Sequence, residues 1–95
     1  MNISVKFFGV LRKIVGDENI SVDVKKDANL KDIIQILTEK SFELKHALID
    51  PELGDIRPNA IVLLNSKELS ALEKGLGTII HEGDEIVLIP VVHGG

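Results

Sequence analysis

The 95-residue sequence contains no cysteine, no tryptophan and no tyrosine. Without a thiol there is no disulfide to staple the chain, no thiolate nucleophile and no ligand set for an iron–sulfur cluster. Its only aromatics are three phenylalanines, and its formal net charge is −4. A nucleic-acid surface needs a basic footprint and stacking rings, so direct nucleic-acid binding is not expected. No apolar run approaches the eighteen or so residues of a membrane span, and the opening MNISVKFFGVL lacks the basic n-region of a secretion signal. A soluble cytoplasmic protein without membrane contact is the expectation. His46, His81 and His93 are too far apart for metal-ligand spacing, so no metal site is expected, and the first two read as surface or loop residues. There is no Walker-type loop, nucleophile elbow or dinucleotide fingerprint. The glycines of GLGT, residues 75–78, read as a turn. Whatever chemistry the protein takes part in, its side chains do not supply it.

What is present is ordinary globular material, 44% hydrophobic and 27% charged, sufficient for one core and too short for a second. Residues 1–92 are expected to form a single domain and 93–95 a flexible tail. In NISVKFF, Ile3, Val5 and Phe7 alternate with Asn2, Ser4 and Lys6, the period of a half-buried strand. GVLRKIVGDEN reads as a turn between glycines, anchored by Leu11 and Ile14. Ile20, Val22 and Val24 alternate again, so the first two strands predict a hairpin. Asn29 with Asp32 three residues on is a helix start. Leu30, Ile33, Ile34 and Leu37 then form one apolar stripe, with the helix ending near Ser41. Residues 42–57 are the least legible stretch. Phe42, Leu44, Ala47, Leu48 and Ile49 suit a short helical segment, and Pro51, Gly54 and Pro58 break anything longer. AIVLLN predicts a strand, Lys67–Leu69 a short strand, EGDE a tight turn, and EIVLIPVV the last strand.

Hairpin, helix, strand, short strand, final strand is not a βαβ alternation. It predicts an α+β fold: a mixed sheet of four to five strands with one main helix packed on one face. The final strand must lie parallel to a neighbour, most simply the first, which places it centrally.

Three stretches then carry a resemblance that covers nearly the whole chain. ISVKFFGVLRKIVG is similar to the opening strand and loop, RPNAIVLLN to the third strand, and EGDEIVLIPVVHGG to the closing signature of the ubiquitin-like β-grasp sulfur carriers. That family includes the small subunit of molybdopterin synthase, the ubiquitin-related modifier and the small archaeal modifier proteins. Ser66 stands where many relatives carry glycine, and His93 where molybdopterin-synthase subunits often carry serine, threonine or alanine. The HGG ending is similar to that of the ubiquitin-related modifier.

The resemblance implies a carrier that acts as co-substrate and is not itself a catalyst. The main-chain carboxylate of Gly95 is adenylated by a ubiquitin-activating-like enzyme that consumes ATP, and no cofactor is bound permanently. A sulfur-transfer protein then converts the adenylate to a thiocarboxylate, a donor for molybdopterin synthesis or tRNA thiolation; alternatively, a protein lysine takes the acyl group in an isopeptide bond. The large subunit of a molybdopterin synthase and target lysines are the further partners implied, with the carrier itself a monomer. Gly94 and Gly95, lacking Cβ, let the tail thread a narrow channel, and His93 precedes them. Strand alternation sends Phe8, Val87, Ile89 and Val91 to the face away from the helix, and the resemblance adds Leu63. Contiguous apolar residues on an open sheet face predict a docking patch. A β-grasp module that docks but is never activated is the alternative. A β-grasp ferredoxin is excluded by the missing cysteines.

Overall fold

In the structure, a computed structural model that describes residues 1–91, the sheet has five strands: β1 (Asn2–Phe7), β2 (Asn19–Asp23), β3 (Ala60–Leu64), β4 (Lys67–Glu68) and β5 (Glu85–Pro90). Their order across the sheet is β2-β1-β5-β3-β4. The β1–β2 pair is the expected antiparallel hairpin, with Val5 opposite Ile20 and Ile3 opposite Val22. The last strand is central and parallel to the first, from Ser4 opposite Glu85 to Phe7 opposite Leu88, and it runs antiparallel to β3 on its other side.

The alternation read from the sequence places the core. Ile3, Val5, Phe7, Ile86, Leu88, Ala60, Val62 and Leu64 are all buried on one face. Over them lies α2 (Leu30–Lys40), whose buried residues Leu30, Ile33, Ile34 and Leu37 are those of the apolar stripe. Ile36, off that stripe, is half-buried against the same core. The start of α2 is a full capping box. The Asp32 N–H donates to Asn29 Oδ1 and the Asn29 N–H to Asp32 Oδ2, both at 2.9 Å, so two of the helix's orphan donors are satisfied reciprocally. Ser41 ends α2 and caps α3 (Phe42–Leu48), its Oγ accepting from the Leu44 N–H at 3.1 Å. Beyond α3, a tight loop is closed by the Asp50 N–H donating to the Asp55 carbonyl at 2.9 Å.

One expectation is corrected. The stretch after β1 is not simply a turn but holds a helix, α1 (Gly9–Val15). It has no side-chain N-cap, and it stops at Gly16, whose left-handed φ of 84° lets its N–H close on the Arg12 carbonyl at 2.8 Å. Only Leu11 is fully buried in it, with Ile14 and Val15 half-buried. Seven residues with one core anchor give too short a period to separate from a loop by pattern. The sheet therefore carries one main helix and two short ones.

One further turn matches the reading, and a second joins β3 to β4. Gly83 adopts φ 82° in the EGDE turn, a region that only glycine enters freely. Asn65 and Ser66, both with positive φ, make the two-residue link from β3 to β4. The Asn65 side chain donates to Asp84 Oδ1 and accepts from the Glu85 N–H, each at 2.9 Å, tying that link to the start of β5.

Candidate functional site

Among the described residues no helix covers the second face of the sheet, and its side chains fall into rows set by register. One row is polar: Ser21, Ser4 and Glu85. The next crosses all five strands as Asn19, Lys6, Val87, Leu63 and Glu68. The third is apolar, with Ile89 opposite Ile61 and Phe8 just past the end of β1, its N–H donating to the Leu88 carbonyl at 3.2 Å. Beyond it lies Val91, whose N–H donates to the Asn59 carbonyl at 2.9 Å. The open face thus grades from polar to apolar along β5, and its apolar end is where the chain leaves the sheet.

Of the residues expected here, Phe8 and Val91 are exposed, and Leu63 and Ile89 are half-buried on this face. Val87 differs. Alternation does turn it away from the core, but it is only 8% exposed, so it offers almost no surface to a partner. The reason is lateral: Lys6 and Leu63 stand beside it in register on the two neighbouring strands. Val87 is the floor of this row, and the accessible surface lies on the residues that flank it. Ile61 is the residue that sequence reasoning missed. It is 39% exposed and shares the phase of Leu63, so fixing Val62 and Leu64 inside was the signal that could have found it. His93, Gly94 and Gly95 lie outside the described residues.

Phe8 is held in place from above. Lys6 Nζ sits 5.3 Å from its ring centroid and 3.8 Å from Glu18 Oε1. Among the described residues, no group of three or more histidine, aspartate or glutamate side chains is arranged to hold a metal ion. None of their helices is long and apolar enough to cross a membrane.

Residues 5–95 match the model of the ThiS family. The chain belongs to that family. It is 32% identical over its whole length to the whole of small archaeal modifier protein 3 of Haloferax volcanii. It is 26% identical, over all of this chain and 92% of the other, to the molybdopterin synthase sulfur carrier subunit of Drosophila yakuba. The crystal structure of SAMP1 from Haloferax volcanii superposes with a TM-score of 0.82 at 28% identity, each chain covered completely. The fold is therefore ubiquitin-like β-grasp, and this member of the ThiS family stands among sulfur carriers and small protein modifiers.

Proposed function

We propose that this chain is a sulfur carrier or ubiquitin-like modifier whose reactive group is the C-terminal carboxylate of Gly95. The observation that supports it most directly is the gradient on the open face: the apolar surface of Phe8, Ile61, Ile89 and Val91 converges on the point where the chain leaves the sheet. A partner seated there holds the body while the last four residues extend into it. Four residues reach about 14 Å when fully extended, so the activation site lies within that distance of Val91.

The chemistry follows from the carboxylate's poverty as an acyl donor. Its oxygen attacks the α-phosphorus of ATP on an adenylating enzyme, pyrophosphate leaves, and the acyl group is now joined to AMP, a good leaving group. The terminal sulfur of a persulfide on a sulfur-transfer protein attacks the acyl carbon and expels AMP. A second thiol then cleaves the sulfur–sulfur bond, leaving a thiocarboxylate on Gly95 and a disulfide on the donor. With a lysine amine as nucleophile, the same adenylate yields an isopeptide bond. The carrier is a co-substrate in either sequence; one hard acyl transfer becomes several easier ones. Gly94 and Gly95 leave the acyl carbon uncrowded, and His93 leads into them.

ATP–pyrophosphate exchange with the cognate adenylating enzyme is the test. The intact chain should support exchange and a chain lacking Gly95 should not. Equal exchange by both chains refutes activation at Gly95. Docking of the intact chain without any exchange favours a binding module that is never activated. Intact mass of the protein from its native cell then separates a thiocarboxylate from a lysine conjugate, the finer assignment to molybdopterin, tRNA or protein acceptors.

A further inference from the structure

The three central strands, β1, β5 and β3, carry one basic residue between them, Lys6. It stands in the middle row of the open face, opposite Val87 on one side and Asn19 on the other. Its side chain is 35% exposed, and its ammonium is paired only loosely, at 3.8 Å, with a Glu18 carboxylate that is itself 47% exposed. The ammonium also lies 5.3 Å from the Phe8 ring centroid, above the largest exposed apolar group of the face.

A partner that covers Phe8, Ile61 and Ile89 must also cover Lys6, because the rows are one strand-step apart. Burying a lone ammonium in an apolar contact is strongly unfavourable unless an acceptor meets it. The intramolecular pair with Glu18 is a weak substitute: exposed pairs of this length are worth little and are screened by salt. From this we infer that Lys6 is a specificity-determining residue of the open face, and that the docking partner presents a carboxylate to it, in the midst of an otherwise apolar surface. The inference rests on the proposed use of this face by an adenylating enzyme and names the chemistry of that enzyme's contact surface.

Lys6 then acts in two ways. Its aliphatic stem stands beside Val87 and shields it in the free protein. Its charge steers toward an acidic group and rejects basic surfaces, since a like charge in the same place has no counterpart. Glu18 competes with the partner for the same ammonium, so the pair that holds Lys6 over Phe8 in the free state also weakens docking.

The experiment is a titration of the cognate adenylating enzyme with the intact chain and with Lys6→Met, Lys6→Glu and Glu18→Gln, at low and high salt, with exchange activity and a thermal melt of each. Lys6→Met keeps the stem and removes the charge. It should bind at least about tenfold more weakly and lose most of the salt dependence, with the melt nearly unchanged. Lys6→Glu should bind more weakly still, and Glu18→Gln at least as tightly as the intact chain. Lys6→Met binding like the intact chain with the same salt slope overturns the inference. Glu18→Gln weakened as much as Lys6→Met also overturns it, because the partner then reads the ion pair and not the freed ammonium. If the intact chain itself gives no exchange, the proposed activation fails first and this inference falls with it; normal exchange with an indifferent Lys6→Met defeats the inference alone.

Discussion

Leu88 and Ile89 are neighbours on the central strand, and replacing each in turn by aspartate separates the two faces of the sheet. Leu88 is completely buried, opposite Phe7 on β1 and Val62 on β3. Losing its side chain from the core costs roughly 2–3 kcal/mol in transfer alone. A carboxylate without a partner adds roughly 2 kcal/mol or more, even if it stays protonated. Against a total stability of about 5–14 kcal/mol for a domain of this length, Leu88→Asp should lower the melting temperature by about 20 °C or more, or leave the chain unfolded at room temperature. Ile89 is half-buried on the open face, so Ile89→Asp forfeits only about half of a full burial, close to 1 kcal/mol. That corresponds to a fall of about 4–8 °C. The carboxylate at position 89 can point to water in the free protein but not in a complex, where docking should weaken by about thirtyfold or more, the loss expected of an interface hot spot. Calorimetric melts of both variants and a binding titration of Ile89→Asp against the adenylating enzyme decide the matter. Comparable melts for the two variants show the phase of β5 to be wrong. A normal melt combined with normal docking for Ile89→Asp shows that the partner binds elsewhere.

Other perturbations follow from the same geometry. Phe8→Ala should lower the melting temperature by about 4–8 °C, comparable to Ile89→Asp, and weaken docking strongly, because Phe8 is 39% exposed in the free protein and aromatic anchors dominate interfaces. Val87→Ala should act on the fold alone, lowering stability by roughly 1–2 kcal/mol while leaving the docking constant nearly unchanged, since Val87 has almost no accessible surface. Asn29→Ala removes the side-chain half of the capping box on α2 and should cost about 1 kcal/mol in chemical denaturation, with no effect on exchange activity. Asn65→Gly keeps the positive φ but loses both side-chain bonds to the start of β5. It should destabilise less than Asn65→Ala, which loses the bonds and strains the backbone as well.

Much of this architecture could be read directly from residue order, and the failures have definite causes. The alternation in NISVKFF and EIVLIP needed no tertiary information, because a strand's two faces are separated by covalent geometry alone. Asn29 and Asp32 likewise announced the start of α2 from within four residues. The parallel pairing of β1 with β5 came from elimination among connections. By contrast, α1 was read as a turn because its single deep anchor, Leu11, gives no period. The burial of Val87 was illegible for another reason: Lys6 and Leu63, its screens, lie 81 and 24 residues away in sequence and meet it only once the strand order is known. Ile61 was passed over although the outward phase given to Leu63 carries it, two residues back, to the same face; AIVLL is apolar at every position and offers no contrast to mark it. The role proposed for the Gly95 carboxylate rests on resemblance alone, as the described residues stop at Val91.

The parallel pairing of β1 with β5 has a mechanical meaning. Because the two strands run the same way side by side, a force applied at the start of β1 and at the exit of β5 pulls them in opposite directions along their length. The load falls in shear across the whole ladder at once, from the Ser4 N–H on the Asp84 carbonyl to the Phe8 N–H on the Leu88 carbonyl. An antiparallel hairpin pulled from its open end instead breaks one bond after another. A partner that tugs on the chain beyond Val91 therefore draws on a strand braced on both flanks, by β1 and by β3. Under such a load the body stays a rigid grip.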